Sequence, residues 1–162
     1  MTESEPPRVT FDDGIACGFD DAWHERWWAQ MEETGGNIIA AYRTRMVEAN
    51  DDRVVMSMEY QPAARQGTGV YAAGILMQLA DVGATSACFG HMRKTMAPED
   101  MPFPLSVQIS TNLLRNTDRG KIISETRLIH GGRSLMVAES TVRDEEGRTL
   151  AVVTTTHMVP RR

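Results

Sequence analysis

The sequence has 162 residues, of which 41% are hydrophobic and 24% charged, a balance that fits one folded domain and excludes a disordered or fibrous chain. The formal net charge of -5 argues against nucleic acid as a general partner, because nucleic-acid binders usually present a broad basic face. No apolar run approaches the roughly 18 to 20 residues needed to cross a bilayer, and the first residues lack a signal-peptide pattern, so we expect a cytoplasmic protein that does not bind membranes.

The N-terminal part divides into a turn-rich segment and a helix. Residues 1–19 contain paired prolines and an Asp-Asp-Gly turn without hydrophobic periodicity, which predicts an irregular lead-in. Trp23, Trp27 and Met31 then follow helical spacing, which predicts an amphipathic helix over 20–34 that a pair of glycines ends. We expect its tryptophans to pack on a sheet or on a partner subunit rather than on a ligand.

The rest of the chain alternates strand patterns with one long apolar helix. Residues 38–48 and 53–60 predict a hairpin, and residues 70–89 predict a helix in which Asp81 is the only charged residue. Further strands joined by hairpin-length turns are predicted at 105–115, 121–130, 133–143 and 148–159. Short turns require antiparallel neighbours, and only the long helix is apolar enough to cover the sheet. The predicted fold is α+β, an antiparallel sheet of about six strands wrapped around the central helix at about 70–89, with the extra N-terminal helix.

Asp81 is the residue on which a functional interpretation depends. An ionised carboxylate in an apolar helix is costly to bury without compensation, so Asp81 should face a cleft, a helix N-terminus or a partner. Gln78 and Thr85 lie on the same helical stripe, and Gly74 lies two turns before Asp81. Free N–H groups of Ala73 and Gly74 at the helix start could stabilise an oxyanion while the carboxylate activates water or attacks directly, which outlines an acyl-transfer site.

Three segments of the chain follow the pattern of a known family. Residues 71–81 read Tyr-Ala-Ala-Gly-Ile-Leu-Met-Gln-Leu-Ala-Asp, and the later segments are residues 107–115 and 132–148. The first resembles the HGG to Leu-Ala-Asp segment, and the others resemble the strands and turns, of hotdog-fold acyl-CoA thioesterases of the phenylacetate-degradation and 4-hydroxybenzoyl-CoA type. The resemblance spans about residues 37–159 and implies a single hotdog domain over 20–162.

By this resemblance, Asp81 is the catalytic acid and acts as general base or nucleophile toward the thioester carbonyl. Gln66 matches a family position whose side-chain amide holds substrate or water, and Thr85 matches a hydroxyl that positions water. Ala73 takes the position of a family glycine whose backbone N–H polarises the thioester oxygen, and an alanine can still donate. The resemblance therefore implies hydrolysis of an acyl-CoA thioester, and leaves open which acyl group is used.

The resemblance also implies a substrate that carries coenzyme A, with no cofactor of the protein's own. Cationic groups should meet the coenzyme A phosphates at the ends of the later strands, and a serine could hydrogen-bond the pantetheine. The candidates are Arg115, Arg119, Lys121, Arg133 and Ser134. Relatives pair edge to edge, so we expect a homodimer or a dimer of dimers, a homotetramer, with each site at a subunit interface.

The histidines do not predict a metal site. They are His24, His91, His130 and His157. Their spacing is not that of a zinc site, and none has an evident nucleophile partner. We interpret all of them as structural or surface residues.

Other functions of the same fold can be weighed against particular residues. Ala72 and Ala73 stand where the family has the His and first Gly of HGG, so one orienting hydrogen bond is lost. A hydratase of this fold would carry His five residues after Asp81, where Ser86 stands. The alternative is a non-catalytic acyl-CoA-binding or sensing protein, although repressors of that kind carry an added DNA-binding segment. A purely structural oligomerisation domain would not need the carboxylate.

Overall fold

The computed structural model describes residues 10–12, 15–17, 19–33, 38–50 and 53–160. Its helices are α1 Asp21–Glu33, α2 Ile38–Ala41 and α3 Ala73–Met92, with short 3-10 turns at Pro62–Ala64 and Pro98–Asp100. Its strands are β1 Thr10–Asp12, β2 Ile15–Cys17, β3 Arg45–Asn50, β4 Val54–Met58, β5 Leu105–Leu113, β6 Ile122–Gly131, β7 Leu135–Asp144 and β8 Thr149–Met158. Within these ranges, no helix is both long enough and apolar enough to cross a membrane.

The described strands form one antiparallel sheet in the order β1-β2-β3-β4-β6-β7-β8-β5. The sheet wraps around α3, which packs against every strand from β3 to β8. The predicted architecture is therefore confirmed, with the six strands β3 to β8 around a long central helix and α1 as an addition near the N-terminus. The short hairpin of β1 and β2 extends the sheet inside residues 1–19, for which the sequence predicts an irregular lead-in.

α3 forms the centre of the core because it is apolar on most of its sides. Leu76, Leu79 and Ala80 are completely buried between the helix and the inner face of the sheet. Full burial of one leucine side chain contributes about 1.5–3 kcal/mol. Gly83 allows α3 to approach β6 closely, since an added Cβ would lie 2.7 Å from Thr126 Oγ1. This close fit leaves few directions in which a charged side chain of α3 can point.

Buried and half-buried hydrogen bonds hold α1 against β3 and the residue before it. His24 Nδ1 donates to the backbone oxygen of Asp20 at 2.7 Å, and His24 Nε2 accepts from the backbone N–H of Met46 on β3 at 3.1 Å. Trp28 Nε1 donates to the backbone oxygen of Thr44 at 2.8 Å. α1 is therefore tied to the residue before β3 and to β3 itself, and Trp28 is buried in this contact.

The first predicted strand is partly wrong. Residues 38–41 form α2, and β3 begins only at Arg45. Arg43 has a φ of 49°, a left-handed conformation that ends the helical turn and redirects the chain into the strand. The local sequence Ile-Ile-Ala-Ala suits both states, so its periodicity does not distinguish a helical turn from a strand.

The limits of the central helix also differ from the predicted 70–89. α3 begins at Ala73, because the backbone N–H of Tyr71 donates to the Thr117 oxygen at 3.1 Å and holds the preceding residues outside the helix. α3 continues through Gly90 to Met92, although the sequence predicts that Gly90 ends it. Met92 is buried, and its packing compensates for the glycine inside the helix, which costs about 1 kcal/mol relative to alanine.

Candidate active site

Asp81 lies near the middle of α3 and faces a cavity of about 660 Å³. Its side chain is 33% exposed, and the cavity that it lines is also bordered by Thr85, Ser86 and Ser106. Most of the remaining wall is apolar and comes from α1, β3, the second half of α3 and the loop after α3. A carboxylate in such surroundings requires polar partners that replace part of its hydration.

A hydroxyl and an imidazole from two neighbouring strands reach the carboxylate. Ser106 Oγ on β5 donates to Asp81 Oδ1 at 2.6 Å, a short charge-assisted hydrogen bond. His157 Nε2 on β8 lies 3.0 Å from Ser106 Oγ, 3.2 Å from Thr85 Oγ1 and 3.7 Å from Asp81 Oδ1. Because the hydroxyl hydrogen of Ser106 is given to the carboxylate, a hydrogen bond between Ser106 and His157 requires the tautomer in which Nε2 carries the hydrogen and donates. A connected chain of hydrogen bonds thus runs from His157 through Ser106 to Asp81.

His157 is a neutral member of this network. Its side chain is completely buried, and burial lowers the pKa of His157 below the ordinary value of 6.5, while the Asp81 carboxylate raises it by a smaller amount. Among the described residues, Nδ1 has no hydrogen-bond partner. The imidazole therefore acts as a neutral donor that orients Ser106, and Ser106 in turn orients the carboxylate.

Sequence reasoning missed Ser106 and His157 as site residues. The sequence interpretation treats His157 as a structural or surface residue, whereas the structure places its Nε2 atom 3.7 Å from Asp81 Oδ1. On β8, Val153, Thr155 and His157 alternate with more exposed residues and face α3, and this alternation could have placed the histidine on the inner face. Its position opposite Ser106 depends on the pairing of β5 with β8, which the sequence does not reveal.

The N–H groups at the start of α3 lie apart from Asp81. Ala73 and Gly74 occupy the first turn, where N–H groups have no acceptor inside the helix. A rise of 1.5 Å per residue puts Gly74 about 10.5 Å from Asp81 along the helix axis. Neither residue lines the cavity of Asp81, and an added Cβ on Gly74 would meet nothing within 4 Å. Asp81 and these N–H groups therefore do not lie side by side within one chain.

Gln66 belongs to the region around the start of α3. Its backbone N–H donates to the Val70 oxygen at 2.9 Å, and its side-chain Nε2 donates to Thr68 Oγ1 at 3.0 Å. The residue is exposed and does not line the cavity of Asp81. Any contact of Gln66 with substrate or water would therefore lie near the N–H groups of Ala73 and Gly74, and this contact stays a prediction.

The predicted coenzyme A-binding residues occupy opposite ends of the sheet. Arg115, Arg119 and Lys121 lie between β5 and β6, whereas Arg133 and Ser134 lie between β6 and β7. The length of β6, at about 3.4 Å per residue, separates the two groups by roughly 30 Å. All five are exposed, and Arg119 Nε pairs with Asp118 Oδ1 at 3.1 Å. One chain therefore does not bring them together, and their role in binding stays a prediction.

Ser134 lies at the same end of the sheet as Asp81. The backbone N–H of Val159 donates to the Ser134 oxygen at 3.0 Å, just beyond the strand that carries His157. The loop with Arg115, by contrast, lies beside the start of α3, since Asn116 Nδ2 donates to the Tyr71 oxygen at 2.7 Å. Each end of α3 is thus accompanied by its own set of polar surface residues.

Comparison with known sequences finds a family and a relative. The profile of the Thioesterase superfamily matches residues 68–151. A protein of Deinococcus radiodurans named "Putative esterase" is 31% identical over 121 residues, which cover 72% of this chain and 70% of that protein. The profile includes Asp81, the start of α3 and the strands from β5 to β7, but not α1.

Comparison with solved structures finds the same fold. A thioesterase from Haemophilus influenzae superposes with a TM-score of 0.69 and 20% identity, covering 82% of this chain and 88% of that chain. A hypothetical thioesterase from Streptococcus pneumoniae, solved with coenzyme A, superposes with a TM-score of 0.63 and 18% identity, covering 74% of this chain and 90% of that chain. At these identities the likeness shows a shared hotdog architecture.

Proposed function

This chain belongs to the thioesterase superfamily, and from that premise we propose that it hydrolyses an acyl-CoA thioester to a free acid and coenzyme A. The family supports thioester hydrolysis in general, and the acyl-CoA substrate and the role of Asp81 are the further content of the proposal. The observation that carries it is the Asp81 carboxylate, which Ser106 and His157 hold at the wall of a largely apolar cavity. Such a cavity can receive an acyl group and bring its carbonyl to the carboxylate.

Asp81 can act by either of two balanced routes. As a general base, it takes a proton from water while the water oxygen attacks the thioester carbonyl carbon; the C–S bond then breaks and the coenzyme A thiolate recovers the proton. As a nucleophile, its oxygen bonds to the carbonyl carbon, coenzyme A leaves, and water hydrolyses the resulting anhydride. Rapid quenching followed by mass spectrometry of the peptide that contains Asp81 separates the routes, because only the second forms an acyl-enzyme.

The start of α3 supplies the donors that this reaction needs. The negative charge that develops on the thioester oxygen is stabilised by fixed N–H groups, and removal of one such donor typically costs about a hundredfold to a thousandfold in kcat. Ala73 and Gly74 offer these groups, but about 10.5 Å of helix separates Gly74 from Asp81. Two copies of the chain remove this difficulty if each contributes one end of its α3.

The exposed edge of β5 supports such a pairing. β5 is the last strand of the described sheet, so one of its sides pairs with β8 and the other with no described strand. Val107, Ile109 and Leu113 on this strand are 54%, 39% and 52% exposed. A long apolar edge strand is normally covered, because its free backbone groups would otherwise pair with other chains. We infer a homodimer in which the two copies of β5 pair, whether or not two such dimers associate further.

A two-fold axis at the middle of β5 would join the two halves of the site. Antiparallel pairing about this axis sets Ser106, near the start of one strand, beside the end of the other copy's strand. That end leads into the loop whose Thr117 oxygen accepts the Tyr71 N–H at 3.1 Å, directly before α3. Asp81 of one copy would then approach Ala73 and Gly74 of the other.

The same pairing would gather the predicted coenzyme A contacts. Arg133 and Ser134 lie at the Asp81 end of one copy, and Arg115, Arg119 and Lys121 lie at the α3 start of the other. These groups, roughly 30 Å apart in one chain, would share one end of the dimer. The coenzyme A in the Streptococcus pneumoniae thioesterase supports this choice of ligand for the proposal.

Thioester hydrolysis, followed by release of the free thiol, tests the proposal. Wild type should cleave members of a panel of aryl- and fatty-acyl-CoA thioesters, and Asp81→Asn should lower kcat by about a hundredfold to ten-thousandfold, because the amide cannot act as base or nucleophile. Glu139→Gln removes a carboxylate from an exposed position of β7 and serves as the matched control. Full activity in Asp81→Asn would disprove the assignment. If wild type binds the panel without cleaving it, the chain is an acyl-CoA-binding protein instead.

A further inference from the structure

The cavity beside Asp81 extends away from the carboxylate to α1. Trp23, Trp27 and Met31 of this helix line it, together with Phe19 immediately before the helix. We infer that α1 is the wall against which the acyl group packs, and that this wall selects apolar acyl groups of medium length over acetyl. This inference rests on the proposed thioester hydrolysis at Asp81.

The surfaces of the cavity near α1 suit an apolar chain. The rings of Trp23 and Trp27 lie 5.1 Å apart at an angle of 38°, and Met46 of β3 also lines the cavity. Across it, Phe89 and Phe103 meet edge to face at 5.5 Å. Aromatic faces bury large apolar areas, and methionine adapts to groups of different shape. An acyl chain bound here would leave water and contact these apolar surfaces instead.

The size of the cavity argues against a small acyl group. Its volume of about 660 Å³ corresponds to roughly 20 water-sized groups at about 30 Å³ each. An acetyl group would leave most of this space unfilled, and unfilled apolar space forfeits dispersion contacts. A straight chain of about eight to twelve carbons would fill the apolar part and still leave room for the end of the pantetheine.

The wall is an addition to the part of the chain that defines the superfamily. The matched residues are 68–151, whereas α1 covers Asp21–Glu33. His24 and Trp28 attach the helix through hydrogen bonds to Met46 and Thr44, and Trp27→Ala leaves both of these bonds in place. Trp27 is half-buried and lines the cavity, whereas Trp28 is buried and does not line it.

Adjacent tryptophans on one helix therefore provide a test position, Trp27, and a control position, Trp28. The kcat/KM values for acetyl-, hexanoyl- and decanoyl-CoA would be compared in wild type, Trp27→Ala and Trp28→Phe. In wild type, kcat/KM for decanoyl-CoA should exceed kcat/KM for acetyl-CoA by more than about tenfold. Trp27→Ala should reduce this ratio by about tenfold, because the acyl chain loses its contact with the indole ring. Trp28→Phe should lower the thermal unfolding midpoint through the lost hydrogen bond to Thr44, and leave the ratio unchanged.

Direct binding of decanoic acid, measured by calorimetry, separates this inference from the proposed function. If no thioester is cleaved but decanoate binds wild type and binds Trp27→Ala at least about tenfold more weakly, the wall is supported and the proposed hydrolysis fails. If thioesters are cleaved but the chain-length ratio and decanoate affinity of Trp27→Ala equal those of wild type, the wall is overturned and the hydrolysis stands. A wild-type preference for acetyl-CoA would also overturn it.

Discussion

The start of α3 and the part of α3 around Asp81 differ in how many polar contacts they make within one chain. Around Asp81, the carboxylate, Ser106 and the buried His157 form a connected network beside a cavity. At the start of α3, the N–H groups of Ala73 and Gly74 have no acceptor inside the helix, and Gly74 is exposed. The Asp81 side chain thus has hydrogen-bond partners within its own chain, whereas the start of α3 has N–H donors and, among the described residues, no carboxylate beside them. Under the proposed function, the carboxylate would be positioned within its own chain, and dimer formation would bring the N–H donors of the other copy to it.

A heterodimer of two variants gives the largest expected effect on activity, and it tests whether Asp81 and Ala73 of different copies form one site. Ala73→Pro removes the N–H donor at the first helical residue, a position where proline is well tolerated, and Asp81→Asn removes the carboxylate. Each homodimer should lose about a hundredfold or more in kcat. A heterodimer of the two variants, isolated with two different affinity tags, should recover about half of the wild-type activity, since one of its two sites is intact.

The same experiment has a clear contrary outcome. If Asp81 and Ala73 of one chain form the site together, every site of the heterodimer lacks one group, and its activity stays at the level of the parents. Ala73→Gly keeps the N–H and should lose far less activity than Ala73→Pro. Thermal unfolding of each variant shows whether lost activity reflects lost folding.

The network at the Asp81 end predicts a smaller effect for Ser106→Ala. Hydrogen bonds to charged groups contribute about 1.5–3 kcal/mol, so loss of the bond to Asp81 should lower kcat by about tenfold to a hundredfold with little change in KM. Ser110→Ala is the matched control, because Ser110 lies on the same strand but pairs with Thr154 and not with a residue of the network. Equal kcat values for the two variants would show that Ser106 does not position the carboxylate.

Much of the architecture could be predicted because it follows from residue patterns along short stretches of the sequence. The length and low charge of α3 indicate a buried helix, and the hairpin-length turns after residue 113 require antiparallel strands. The helical turn of α2 could not be predicted, since it depends on the left-handed Arg43 and on tertiary contacts of the following residues. Local pattern therefore gives the order of elements better than their limits.

The candidate site could be predicted only in part, for a related reason. Asp81 stands out in the sequence because a lone charge in an apolar helix needs an explanation. Ser106 and His157 do not stand out, since their partnership depends on the pairing of β5 with β8. Trp27 and Trp28 are neighbours on one predicted helix, but the sequence does not tell which of them lines a cavity and which hydrogen-bonds the backbone before β3. Such distinctions arise only when distant segments pack together.

The smallest predicted effect concerns stability at mildly acidic pH and involves His157. Burial lowers the pKa of His157 in the folded protein below 6.5, so the unfolded chain binds a proton that the folded one does not. The stability from the neutral imidazole is present above pH about 6.5 and decreases as the pH falls from there toward the lowered folded value. Between pH about 7.5 and about 5, the thermal midpoint of wild type should therefore fall more than that of His157→Gln. Equal falls in both would show that His157 is protonated in the folded state as readily as in water, and the neutral donor next to Asp81 would be lost from the site.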